Sequence, residues 1–197
     1  MSEYSIDAVQ VIVVIMALLV AAAWYLSYSA SRLDRLHAKV EGSLSTLDAQ
    51  LVRRAEATLE MANSGVLDPA TSLLLADAAT ESLERQTEHI GDDLLEGQHF
   101  AGREGIESDL TEALNVALSH EVVDELRADE DLGASALRRV ESAALRVQLA
   151  RRFHNDAVRE VRRVRAKAVV RTFRLAGHAD LPEPVEFHDE LPAALTS

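Results

Sequence analysis

The chain reads as all-α, with an N-terminal transmembrane helix continuous with an elongated antiparallel four-helix bundle. Three observations predict this. Aromatic residues make up 4% of the 197, Gly and Pro number 8 and 4, and Ala, Leu, Glu and Arg dominate. Such a composition favours helix and disfavours sheet. From Ala8 to Leu26 the sequence AVQVIVVIMALLVAAAWYL carries one strongly polar residue, Gln10. At about 1.5 Å per residue, that run matches the hydrocarbon thickness of a bilayer. Beyond it, apolar residues recur every three or four positions, the period of helices with one buried face.

The first element is the anchor. Trp24, Tyr25 and Tyr28 gather where the apolar run ends, and amphipathic rings favour the headgroup boundary. Arg32, Arg35 and Lys39 follow the run, whereas MSEYSID before it has no Lys or Arg. The positive-inside rule then places the N-terminus outside and the C-terminal domain in the cytoplasm. A cleaved signal peptide is the competing reading, because Ala21-Ala22-Ala23 supplies small residues after an apolar stretch. The acidic start, with Glu3 and Asp7, opposes it. The expected organisation is a short extracytoplasmic N-terminus at 1–7, a transmembrane helix at 8–28, a cytoplasmic bundle at 29–177 and an acidic, Pro-containing tail at 178–197.

After the anchor no Pro or Gly appears until Gly42, and Leu33, Leu36, Val40, Leu44, Leu47, Leu51, Ala55, Leu59 and Ala62 form one stripe. The anchor and first domain helix should therefore be continuous to about Asn63-Ser64-Gly65. Asp68-Pro69 reads as an N-cap with proline at the first helical position. The second stripe runs Leu73, Ala76, Leu83, Ile90 and Leu94, then meets a Gly-rich connection from Gly97 to Gly105. A third helix follows from Ile106 to about Leu126, through Leu110, Ala113, Leu114, Ala117 and Val123. Ala128-Asp129-Glu130-Asp131 and Gly133 make a turn. A fourth helix occupies roughly Ala134 to Leu175, with Leu137, Val140, Ala144, Val147, Val158, Val161 and Ala168 on its stripe. The tail after Gly177 is ordered only if it docks.

Charge separates by element. The fourth helix carries Arg138, Arg139, Arg146, Arg151, Arg152, Arg159, Arg162, Arg163, Arg165, Lys167, Arg171 and Arg174 against few acids, while the segment from Asp68 to Asp131 is acidic. Neutralisation within the bundle is one use of this pattern. The other is contact with anionic lipid, or with a partner, through Arg159, Arg162, Arg163, Arg165, Lys167, Arg171 and Arg174, since the fourth helix of an antiparallel bundle returns toward the membrane. Nucleic acid is not an expected partner: the net charge is -13 and no aromatics interleave with the arginines.

No catalytic constellation is present. Cysteine is absent, which removes disulfides, thiolate metal sites and thiol nucleophiles. His120-Glu121 with Asp124 places three ligand types on one helical face, but the second His of a His-Glu-x-x-His motif is missing. His89 and His99 flank Asp92 and Asp93 with the same weakness. No Gly-x-Ser-x-Gly elbow or phosphate loop appears, and Gly102-Arg103-Glu104-Gly105 has no preceding strand. Neither a metal nor another cofactor is called for. His154 and Asn155 lie near the apolar stripe of the fourth helix, where hydrogen bonding inside the bundle is the simplest use.

The stretch Ala150-Arg151-Arg152-Phe153-His154-Asn155-Asp156-Ala157-Val158-Arg159 resembles the signature of the LemA family. Asp48-Ala49-Gln50-Leu51-Val52-Arg53-Arg54 is similar to that family's first-helix motif, with Asp48, Gln50, Arg53 and Arg54 as the matching positions. Leu126-Arg127-Ala128-Asp129-Glu130-Asp131-Leu132 resembles its turn into the last helix, and Phe187-His188-Asp189-Glu190 its aromatic-acidic end. Two prolines that such proteins usually carry, after each of the first two motifs, are missing. The resemblance implies a membrane-anchored four-helix domain and supplies no mechanism. The functional expectation is a membrane-tethered scaffold or protein-interaction module of the bacterial cell envelope, with an unidentified protein partner. A tethered metal-dependent or hydrolytic domain is the alternative, and self-association through the long helices a third reading.

Overall fold

The structure is a computed structural model and describes residues 2–92, 100, 102–129, 131–173 and 181–196. Its described residues form helices and no strand: α1 (Ser2–Asn63), α2 (Pro69–Asp92), α3 (Arg103–Ala117), α4 (His120–Ala128), α5 (Leu132–Arg165), α6 (Ala168–Thr172) and α7 (Ala193–Thr196). The all-helical class and the long apolar N-terminal helix are thus observed. Arg174, Gly97, Asp93, His99, Leu94, Gly177 and the end of the expected fourth helix at Leu175 lie outside the described residues, as do the side chains of His89, Ile90 and Asp92.

Helix ends follow local chemistry. α1 stops where Ser64 donates its hydroxyl to Met61 O at 2.7 Å and Gly65 takes φ 78°, a left-handed conformation that costs glycine nothing. Asp68 caps α2: its Oδ1 accepts from Ala70 N at 2.9 Å and Thr71 N at 3.1 Å. α3 begins after Gly102 at φ 84°, earlier than the expected start at Ile106. The α4–α5 turn is organised by Asp129, whose Oδ2 accepts from Gly133 N at 3.0 Å and whose backbone oxygen accepts from Ala134 N at 2.9 Å.

Two expected helices are interrupted. The span Ile106 to Leu126 is two helices, because Leu118 leaves the helical region and Ser119 caps α4 by accepting from Val122 N at 3.3 Å. The expected fourth helix breaks at Lys167, which is extended at φ -65°, ψ 136°, and resumes as α6. Arg159, Arg163 and Lys167 repeat at a spacing of four residues, so a continuous helix would stack like charges, whereas a helix end there places Arg162, Arg163 and Arg165 against a C-terminal dipole.

The chain divides into two compact units. The first comprises Met1–Glu41 and Ala157–Pro182. Its core joins Leu33, Leu36 and Val40 of α1 to Ala157, Val158, Val161 and Val164 of α5 and Val170 of α6. Lys39 and Glu160 pair at 3.2 Å with both side chains well exposed, a contact worth about 0–1 kcal/mol. The apolar run from Val11 to Val20 is covered by no described residue: its large side chains are 50–65% exposed.

The second unit comprises Gly42–Asp156 and Glu183–Ser197. Its larger core cluster gathers Ala55 and Met61 of α1, Leu75 and Ala79 of α2, Leu110 and Leu114 of α3, Val123 and Leu126 of α4, and Leu137 and Val140 of α5. Ala194 and Leu195 of α7 complete it. A smaller cluster joins Leu47, Leu51, Val147 and Ala150 to Val185 and Phe187 of the extended segment before α7.

Candidate functional site

The densest polar arrangement lies inside the second unit and starts from Arg54. α1 carries it on the same face as Leu47, Leu51 and Ala55, all of them buried. A guanidinium placed there must find partners or destabilise the fold. α3 supplies them: Arg54 Nη2 donates to Glu107 Oε2 at 2.8 Å and to Glu107 O at 2.9 Å, and Nη1 donates to Thr111 Oγ1 at 2.9 Å. The other Glu107 oxygen accepts from Arg103 Nε at 2.9 Å and from Ser82 Oγ of α2 at 3.0 Å. Arg103 also pairs with Asp48 on α1.

Two buried guanidinium groups thus share a network with the buried Glu107 carboxylate and the half-buried Asp48 carboxylate. Burial pushes the Arg54 guanidinium below its ordinary value, and the Glu107 carboxylate opposes that shift. Each oxygen of Glu107 accepts from a donor on α1, α2 or α3, so the network fixes the register of these three helices.

The segment from Glu183 to Asp189 lies against this network and is held chiefly by side chains. Asn155 of α5 grips Val185 from both sides, its Nδ2 donating to Val185 O at 3.0 Å and its Oδ1 accepting from Val185 N at 2.9 Å. Arg151 pairs with Asp189 through two bonds of 2.7 Å. On α3, Thr111 donates to His188 O at 2.7 Å, while Ser108 Oγ accepts from His188 N at 3.1 Å. Val185, Phe187 and Asp189 point inward and Glu186, His188 and Glu190 outward, the alternation of an extended chain. The Phe187 ring stacks on Phe100 at 6.2 Å and lies beneath the guanidinium groups of Arg54 and Arg151, at 6.0 and 5.5 Å. Such contacts add about 0.5–1 kcal/mol or more each where water is excluded.

Residues singled out in the sequence fall in several places. Asp48, Arg54, Arg151 and Asn155 belong to the network or grip the docked segment. Gln50 is half-buried with its Oε1 lacking a hydrogen-bond partner, whereas Arg53, Arg152 and Asp156 are exposed. Ala157 and Val158 are core residues of the first unit. Trp24, Tyr25 and Tyr28 are exposed, the Trp24 and Tyr28 rings stacked at 6.1 Å, and Arg32 and Arg35 are exposed on the following turns. Arg159, Arg162, Arg163, Lys167 and Arg171 are exposed and Arg165 is half-buried. His154 is buried and hydrogen-bonds Ser43 Oγ at 3.1 Å. His120, Glu121 and Asp124 lie exposed on α4, and no group of three or more ligand-type side chains is assembled among the described residues.

Sequence reasoning missed Arg103, Glu107, Thr111, Ser82 and Phe100. The available signal was the Arg103–Glu107 spacing of four residues just after Gly102, which permits an ion pair along one helical face. No protein-family model, curated protein or solved structure matches the chain.

Proposed function

We propose that this chain is a LemA-like, membrane-anchored helical interaction module, with its N-terminus outside the cell membrane and its helical domain in the cytoplasm. The observation that carries this is the uncovered apolar run of α1. A core helix of a soluble protein would bury Val11 to Val20 against its own chain, yet the apolar window of this helix has no buried share. Each large side chain left in water forfeits about 1.5–3 kcal/mol relative to an apolar surrounding. Lipid supplies that surrounding, and the exposed Trp24, Tyr25 and Tyr28 suit its boundary.

On this reading α1, α2, the α3–α4 pair and α5 form the four arms of an antiparallel bundle. The exposed Arg159, Arg163, Lys167 and Arg171, with Arg162 and Arg165, then meet anionic headgroups, each well-placed cation contributing about 1 kcal/mol. The absence of native cysteine makes a direct test available. Single cysteines at Ser5 and at the exposed Asn115, probed in intact cells with a membrane-impermeant maleimide, should label at Ser5→Cys and stay unlabelled at Asn115→Cys until the membrane is permeabilised. Labelling of Asn115→Cys from outside, or release of the whole chain from membranes by alkaline carbonate, overturns the reading.

A further inference from the structure

α5 has a face that no described residue of the second unit covers. Val140, Ala143, Ala144, Val147 and Ala150 turn toward the core, and on the opposite side Leu145, Leu149 and Phe153 follow one another at four-residue spacing, 46%, 53% and 60% exposed. Residues so spaced lie in line along one side of a helix. A single exposed leucine is ordinary; three large apolar residues in a row over two turns form the kind of stripe that a partner helix reads.

The arginines around the stripe are arranged in a telling way. Arg139 and Arg151, toward the core side, are paired with Glu60 and Asp189. Arg138, Arg146 and Arg152, which border the stripe, are exposed and form no ion pair with any described residue. Glu141 is half-buried at the margin, and Asp156 is the exposed carboxylate at the C-terminal end. In a chain of net charge -13, a local surface of unpaired cations around apolar residues is the complement of an acidic amphipathic helix. A second copy of α5 fits less well, because antiparallel pairing about Leu149 sets Arg146 against Arg152 of the other chain.

We infer that the Leu145–Leu149–Phe153 face of α5 is a docking site for an amphipathic helix with apolar residues at three- and four-residue spacing flanked by carboxylates. This rests on the proposed interaction role and names the surface and partner chemistry for it.

The test uses the full chain in nanodiscs of zwitterionic lipid and a fluorescent helical peptide of about 20 residues, Leu at the spaced positions and Glu beside them. Saturable binding is expected, with Lys in place of Glu abolishing it. Leu149→Asp with Phe153→Asp should weaken binding by about tenfold or more. All these side chains are exposed, so unchanged helical ellipticity verifies the fold. Arg146→Glu with Arg152→Glu should transfer preference to the Lys peptide. Equal binding of both peptides, or no effect of the Asp pair, overturns the assignment. So does displacement of the peptide when about one-third of the lipid is anionic, which gives the face to lipid, and a dimer abolished by the Asp pair, which gives it to a second copy. A photoreactive phenylalanine at Leu149, Leu73 or Val116 in intact membranes separates the two levels. Crosslinks at the latter two but never at Leu149 sink this face alone, and none at any position sinks the interaction role itself.

Discussion

Arg54 of α1 and Glu107 of α3 meet at 2.8 Å with side chains 2% and 0% exposed. A pair so withdrawn from water has its Coulomb attraction offset by desolvation, so its net contribution is small, but losing one member strands the other. Glu107→Ala leaves Arg54 and Arg103 facing each other without their shared acceptor. It should destabilise the second unit by about 3–5 kcal/mol, read as a lowered urea midpoint. Arg54→Met combined with Glu107→Leu should recover the share of that loss due to Arg54, while Arg103 keeps only Asp48; a double variant as unstable as the single one contradicts this account.

The two-sided bond between Asn155 and Val185 makes a separate prediction. Asn155→Leu keeps the volume and removes both the donor and the acceptor, leaving Val185 N–H and C=O unpaired at a cost of about 1–3 kcal/mol. Hydrogen exchange at the Val185 and Phe187 amides should accelerate while α2 and α3 amides stay protected. Uniform acceleration across the second unit would show that the docked segment and the helices open together.

Two glycines should respond to alanine in opposite directions. A Cβ on Gly133 would sit 2.7 Å from Leu126 O and 3.0 Å from Asp129 Cβ, so Gly133→Ala should cost about 1–3 kcal/mol. A Cβ on Gly42, in the interior of α1, meets nothing within 4 Å. Gly42→Ala should therefore stabilise by about 0.5–1 kcal/mol through reduced unfolded-state freedom. Thermal denaturation of the two variants beside the parent checks both signs.

The cap of α2 carries a pH dependence. Hydrogen bonds from the Thr71 hydroxyl and then the Thr71 N–H hold the Asp68 carboxyl below its ordinary value. Its stabilisation is complete above the unfolded carboxylate value of about 4, and disappears as the pH falls on through the lower folded value. Asp68→Asn keeps a capping oxygen without the charge. Its loss of stability between pH 6 and 3, compared with the parent's over the same interval, should be the smaller; identical acid limbs would remove Asp68 from the account.

What the sequence made visible is what local chemistry controls. The apolar run, the Asp68-Pro69 start and the Asn63-Ser64-Gly65 stop each act over a few residues, and each appears where it was expected. The α3–α4 break did not show, because buried Leu118 and Val123 carry the apolar pattern through it while a single hydroxyl, that of Ser119, ends it. The inward face of α3 was hidden for another reason. It opens with Arg103 and Glu107, both buried, and a periodicity built on apolar residues assigns such positions to solvent. The docked segment reads as an acidic, Pro-containing stretch, and its partners Ser108, Thr111, Arg151 and Asn155 are far away in sequence. No short window contains both halves of that contact.

Ala194 and Leu195 fill the same core as Ala55 and Met61, which ties the timing of assembly to the order of synthesis. Residues that line the floor of that core leave the ribosome well before those that plug it. Until the plug emerges, a nascent chain presents an unfilled apolar hollow beside a guanidinium lacking its aromatic cover, a state that invites chaperones or wrong neighbours. Folding of this region is therefore gated by the emergence of the stretch from Val185 to Leu195, whose partners are already made.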